Sequence, residues 1–323
     1  MTWRLAGLGS LFLLAAAANA WSQSYPSRPV RVIAAQSAGS ALDTLARIVA
    51  NKLSELTGQQ FVSDNRGGAG GTIAIEIGAR AAPDGYTLVV GASSSMIISQ
   101  FSYRKLPFDA FRDFDAISMI VNADSLMAVN PAVPAKSVKE LIALARSQPG
   151  KLNMSSAGVG SSSHLAGVMF MSMAGIDAVH VPYKGGGPMT AAVVGGEAQW
   201  LIAPAAALTG QIRAGRLRAL ATAGKTRSPV LPELPTIAEA GVPGYEYSSW
   251  NGVFAPKGTP RGVIKTLHAT IQQVLAAPEV KEQYAAQGTV PQGSASPEEF
   301  GRYFRADYDR IVKLVKIAGI KPE

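Results

Sequence analysis

Residues 155–164, Ser-Ser-Ala-Gly-Val-Gly-Ser-Ser-Ser-His, run directly into the apolar segment Leu165-Ala166-Gly167-Val168. Small residues (Ala157, Gly158, Gly160) precede three hydroxyls and a histidine, and then a helix-like run begins. This order predicts a loop feeding a helix N-terminus. The first N–H groups of a helix have no partner within it, and the helix dipole is positive at that end. Such a loop is a ready site for an anion. Immediately upstream, Leu152 to Ser156 reads as a strand, so the loop sits at a strand's C-terminal end.

The same design recurs nearer the N-terminus. Val30 to Ala35 reads as a strand, broken by Gln36-Ser37-Ala38-Gly39-Ser40. Leu42, Leu45, Ala46, Val49 and Leu53 then recur at helical spacing up to Gly58, a suitable C-cap. Asp43 falls in the first turn of that helix, where it can stabilise the dipole and cap or fix the loop's geometry. Strand Tyr86 to Val90 runs into Gly91-Ala92-Ser93-Ser94-Ser95, a third loop of the same kind. Strand Phe61 to Asp64 is ended by a glycine cluster, residues 65–71, that opens a helix from Ile73 to Ala81. That cluster lacks the G-x-G-x-x-G spacing and later acidic partner of a dinucleotide site.

Phe101 to Phe114 reads as a surface excursion, and Phe114 to Val121 and Ser125 to Val129 as two strands, the second crossing into a new domain. From Pro131 the series restarts. Ser137 with Glu140 makes a capping box, and strands at 152–156, 179–182, 198–202 and 217–222 alternate with helices. A proline-rich return, Pro229 to Gly244, leads to a second crossing strand, Tyr247 to Phe254. Amphipathic helices Arg261 to Leu275 and Glu298 to Val315 close the first domain. The expected architecture is α/β, with domain 1 at 25–125 and 250–323 and domain 2 at 126–249. Ligands of such sheets bind at the strands' C-terminal edge, here in a cleft between domains.

The first 20 residues read as a secretory signal peptide: one positive charge at Arg4, an apolar stretch from Leu5 to Ala17, and the A-x-A site Ala18-Asn19-Ala20. No later run approaches the roughly 20 apolar residues of a bilayer span. The mature chain is expected in the periplasm, cleaved near Ala20. The absence of cysteine excludes disulfides and thiolate metal sites. With 30 Lys plus Arg against 22 Asp plus Glu, the net charge is +8, but the basic residues are scattered. That argues against a nucleic-acid surface, which clusters its charge, and fits a protein handling small anions.

Catalytic readings fail one by one. No G-x-S-x-G occurs, so the serine hydrolase reading rests on Ser161 and His164 alone, whose spacing capping already explains. Gly224-Lys225-Thr226 lacks the upstream glycine of a P-loop, and neither H-E-x-x-H nor paired histidines at ligand spacing occur. No metal and no cofactor are expected. Hydroxyls and backbone N–H groups with few bases suit holding an anion.

From Tyr25 onward, the stretches YPSRPVRVI, DNRGGAGG, APDGYTLVVG, KLPFDAFRDF, VPAKSVKELIALA, SSAGVGSSSHLAG, HVPYKGGGP, AGRLRALA, RSPVLPELPTIAEAG and GVFAPKGTP occur in one order. In that order the chain resembles the substrate-binding proteins of tripartite tricarboxylate transporters, the Bug family. The resemblance implies a type II periplasmic binding-protein fold, two Rossmann-like domains that close on a small carboxylate and deliver it to membrane permease subunits. It implies no enzymatic activity, and the protein is expected to be a monomer. A ligand sensor for a membrane signalling partner shares this fold and stays open. Mapped onto this chain, the implied ligand-binding residues are Gln36, Ser37, Gly39, Ser40 and Asp43 in the first loop. Ser93 and Ser94 follow in the next, then Gly158, Val159, Gly160, Ser161 and His164, with Tyr183 and Ala203. The family's first loop usually reads P-F-x-P-G-G-x-x-D; here Ala35, Gln36, Ala38 and Ser40 replace the first Pro, the Phe, the second Pro and one Gly. Near residue 203 the family often carries Asp or Asn, an acceptor for a ligand amine, where this chain has Ala203-Pro204. The expected ligand is therefore a simple mono- or dicarboxylic acid.

Overall fold

The computed structural model describes residues 25–228 and 231–317; the expected signal peptide lies outside the described residues. The first lobe starts with β1 (Val30–Ala34), α1 (Ala41–Thr57), β2 (Phe61–Asn65), α2 (Thr72–Ala79) and β3 (Thr87–Ala92). A π-helical turn, Ser94–Ile98, continues into the short α3 (Ser99–Ser102). Then β4 (Phe114–Val129) carries the chain across. The second lobe holds α4 (Val138–Ser147), β5 (Asn153–Ser156), α5 (Ser162–Ala174) and β6 (Val179–Pro182). It continues through α6 (Gly186–Val194), β7 (Trp200–Pro204), α7 (Ala205–Arg213) and β8 (Arg218–Thr222). The chain returns along β9 (Ser248–Pro256) and ends in α8 (Arg261–Ala276), α9 (Pro278–Ala286) and α10 (Pro297–Ile317).

Strand pairing gives both lobes the same sheet. In the first, β2-β1-β3 are parallel, β9 lies antiparallel against β3, and β4 pairs β9. In the second, β6-β5-β7 are parallel, β4 lies antiparallel against β7, and β8 pairs β4. Each lobe thus borrows its single antiparallel strand from a crossing segment. The strand order reverses beside the first strand of each lobe, β1 and β5, and that switch point is where ligands of open α/β sheets bind. Because β1 and β5 each lead into a loop and then a helix, both helix N-termini emerge at that edge.

Three local expectations change. The segments 114–121 and 125–129 form one 16-residue strand: Phe114 to Asp124 pairs β9, and Ser125 to Val129 passes between β7 and β8. Polar Asn122 and Asp124 interrupt the apolar pattern but not the backbone ladder. The stretch Phe101 to Phe114 is not purely a surface excursion. Phe108 and Ala110 are buried, and Phe111 stacks on Phe304 at 4.4 Å between ring centres. Finally, α9 goes beyond the two expected C-terminal helices; Pro278 starts it, and Val280 and Tyr284 bury one side against α1 and α8.

Most of the core is continuous from lobe to lobe. Phe300 and Phe304 of α10 meet Trp250 and Phe254 of the returning strand. Ile311, Leu314 and Val315 of the same helix share a cluster with Met154 and Phe170 of the second lobe. The described helices include none long and apolar enough to cross a membrane.

Candidate ligand-binding site

A cavity of about 730 Å³ lies between the lobes. From the first lobe, Gln36, Gly39, Ser40, Ala41, Ser93 and Ser94 line it, with Asn251 of the returning strand. Facing them are Ser162, Ser163, Thr190 and Pro204 of the second lobe.

The two loops at its mouth are built alike, down to backbone angles. Gly39 has φ +79° and Gly160 φ +74°, a left-handed region open to glycine because it carries no Cβ. The next residue, Ser40 or Ser161, has φ −73° and ψ 160° in both cases and is the helix N-cap. Each serine Oγ accepts the backbone N–H three residues on, from Asp43 and from His164, at 3.2 Å. The side chain of that same residue then reaches back: Asp43 Oδ2 accepts the Gly39 N–H at 2.8 Å, and His164 Nδ1 accepts the Gly160 N–H at 3.2 Å. Reciprocal capping of this kind fixes the loop and leaves the next two amides, Ala41 and Leu42 or Ser162 and Ser163, without an acceptor inside the helix. All four of those residues line the cavity.

What holds the two reaching side chains differs. Asp43 also accepts a bond from Asn65 Nδ2 at 2.8 Å and pairs with Arg47 Nε at 2.7 Å. Burial alone would raise its carboxyl, but the Gly39 and Asn65 hydrogen bonds and Arg47 outweigh that and hold it below the usual range. His164 stacks on His180, with ring centres 4.0 Å apart and planes 18° off parallel. His180 Nε2 lies 2.6 Å from Ser156 Oγ, which itself accepts the Gly158 N–H at 3.2 Å. Burial, reinforced by His180, pushes His164 down to about 4, and burial lowers His180 as well. Both rings are neutral near pH 7.

The residues singled out from the sequence fall into three groups. Gln36, Gly39, Ser40, Ser93 and Ser94 line the cavity. Asp43, Gly158, Gly160, Ser161 and His164 do not line it but shape the loops that do. Ser37 is exposed in the first loop, and Val159 is 55 % exposed at the tip of the second. Tyr183 follows β6, with its N–H bonded to the Ser156 carbonyl and its hydroxyl directed to Glu197. Ala203 is fully buried in β7 beside Leu126 and Ala205, and Pro204 takes the place at the cavity wall. Ser162, Ser163, Thr190 and Asn251 were not singled out. The first two had a legible signal, since the residues after an N-cap carry the unpartnered amides. Thr190 and Asn251 are brought in by tertiary folding alone.

As a hydrolase pair, Ser161 and His164 are misarranged. His164 addresses Ser161 through its backbone N–H, while its ring Nδ1 is taken by Gly160 and its face by His180. No group of His, Cys, Asp and Glu that could hold a metal ion occurs among the described residues.

Comparison with known proteins places the chain in a family. The family described as "Tripartite tricarboxylate transporter family receptor" matches residues 45–320. Protein BugT of Bordetella pertussis is 34% identical over 323 residues, covering 99% of each chain. Among solved structures, R. palustris Rpa4515 with adipate is 36% identical with a TM-score of 0.87, over 93% of this chain and 100% of that one. MatC from Rhodopseudomonas palustris with bound malate is 28% identical with a TM-score of 0.80, over 91% and 100%. This chain belongs to the tripartite tricarboxylate transporter family of receptors, which are solute-binding proteins and not enzymes.

Proposed function

We propose that the protein captures a small mono- or dicarboxylic acid in the periplasm and delivers it to the membrane permease of a tripartite transporter. The observation that carries this reading is the pair of matched helix N-termini, α1 and α5, opening onto one cavity. Two sets of first-turn amides can share one carboxylate or take the two ends of a dicarboxylate, directly or through water. Gln36, Ser40, Ser93, Ser94, Ser162 and Ser163 supply further polar contacts from the cavity wall. The relatives whose structures contain adipate and malate support a carboxylate as the ligand class. Fully buried Ala203, next to Pro204 at the wall, offers no side-chain acceptor for a ligand amine, which favours a plain acid over an amino acid.

A thermal-shift panel on dialysed protein tests this reading. A dicarboxylate such as adipate or malate is expected to raise Tm, because a ligand that binds only the native state stabilises it by mass action. Stabilisation by glutamate or aspartate and by no dicarboxylate would overturn the preference for a plain acid. No response to any carboxylate would overturn the reading itself.

A further inference from the structure

The cavity does not stop at the two glycine–serine loops. Helices α6 and α7 follow the parallel strands β6 and β7, so both run away from the cleft edge in the same direction, packed against each other. On α6, Gly187, Thr190, Ala191 and Val194 put one face on the cavity; on α7, Ala207 and Gln211 do the same. Gln211 stands about 9 Å down the α7 axis from Ala205, the first residue of that helix and itself part of the cavity wall. The first lobe covers this extension. Gln287 and Thr289, which follow α9, line the cavity, and Gly288 between them approaches α7 so closely that a Cβ there would collide with Thr209. Three side chains of the extension lack a partner. Thr190 is 6 % exposed and its Oγ1 has no hydrogen bond; the buried Gln211 Oε1 has none either. The Gln211 carbonyl accepts the Arg216 N–H at 2.9 Å, a turn that brings Arg216 back beside Gln211. Arg216 is exposed and forms no ion pair among the described residues, and no other charged residue among them lines the cavity. Buried polar atoms in folded proteins nearly always have a partner, and a lone cation on an otherwise uncharged wall attracts an anion.

We infer that this extension is a distal subsite for a second carboxylate, taken by the Arg216 guanidinium and the Gln211 amide, with Thr190 bonding to the ligand along the way. The ligand is then a dicarboxylate long enough to reach from the helix N-termini to Arg216, its carbon chain lying against Ala191, Val194 and Ala207. Guanidinium and carboxylate match in geometry as well as charge. Gln211 donates through Nε2 once its amide is turned end for end, which changes the hydrogen bonding and not the shape. A cavity of about 730 Å³ is in the range that encloses drug-sized ligands, so it has room for a chain longer than that of malate. This rests on the proposed carboxylate ligand and adds the seat of its second charge and, with it, a minimum length.

The test compares suberate with monomethyl suberate, an ester that keeps the length and one carboxylate but loses the second charge. Affinities are measured by titration calorimetry for the unaltered protein, Arg216→Gln and Gln211→Leu, with folding checked by circular dichroism and Tm. Arg216 is exposed, so its replacement is expected to leave the fold intact. The unaltered protein is expected to bind suberate at least tenfold more tightly than the ester. Arg216→Gln should bring the two affinities together and Gln211→Leu should narrow the gap, while added salt narrows it in the unaltered protein by screening Arg216. No preference for suberate in the unaltered protein, or a preference that survives intact in either variant, would overturn the distal subsite and leave the carboxylate reading standing. So would tighter binding of succinate than of suberate. Failure of the unaltered protein to bind any carboxylate would instead overturn the reading beneath it.

Discussion

At the residue scale, Ser161 is the simplest point of leverage. Its Oγ caps α5, so Ser161→Ala is expected to destabilise the protein by about 1 kcal/mol, as N-cap serines generally do, measured by urea unfolding. A drop in carboxylate affinity should accompany it, because the Ser162 and Ser163 amides are oriented by that cap. His164 gives a pH signature. Its folded-state value is lowered from 6.5 to about 4, so between those values the unfolded chain binds more protons than the folded one. The stability it contributes is complete above pH 6.5 and is lost as pH falls toward 4. His180, stacked against it and also lowered, acts in the same direction. Tm should therefore fall on acidification from pH 7 to 4, and His164→Asn should make that fall shallower. An identical slope in the variant would contradict the assignment. The sequence made the Ser161 cap legible, because a serine three residues before His164 and ahead of an apolar run has one obvious job. It did not reveal the histidine stack. His164 and His180 are 16 positions apart and meet only because β5 and β6 pair in parallel, setting Met154 against His180.

Among the elements, α10 braces the crossing strands from one side. Its buried Asp307 accepts the Trp250 indole N–H at 2.7 Å and is paired with Arg310, whose guanidinium also donates to the Ser248 carbonyl at 3.0 Å. Both Trp250 and Ser248 lie in β9, the returning strand, so this network fixes the crossing to the helix that braces it. Trp250→Phe keeps one aromatic ring against Phe300 and Phe304 but removes the donor to Asp307 and part of a fully buried side chain. It is expected to cost about 1–3 kcal/mol in urea unfolding, the usual penalty for leaving a buried polar partner unsatisfied. A loss well below that range would mean Asp307 is satisfied by Arg310 alone. The amphipathic period of α10 was plain in the sequence, whereas its position astride the lobes was not, since periodicity tells which face is buried and not against what. The same limit explains β4: residues 122–124 read as a break because Asn122 and Asp124 are polar, yet their backbone pairing with Trp250, Ser249 and Ser248 continues the strand.

For the whole molecule, the organising fact is that one five-stranded plan is used twice and each copy ends its first strand in a glycine–serine loop and a helix. The repetition of strand, small-residue loop and helix was readable at 30–58 and at 152–174, and it was enough to indicate an α/β fold with two matched loops. Which residues face the cavity depends on how the lobes meet, and no local pattern encodes that for Thr190 or Asn251. The shared, continuous core through α10 and the two crossing strands keeps the jaws opposed. In the proposed function, these two helix N-termini grip a carboxylate between them. The most direct measurement is a crystal structure of the protein with bound adipate. A carboxylate is expected within hydrogen-bonding distance, directly or through one water, of first-turn amides of both helices, Ala41 or Leu42 on one side and Ser162 or Ser163 on the other. A ligand seated elsewhere in the cavity, with its carboxylates turned away from both helix ends, would contradict it.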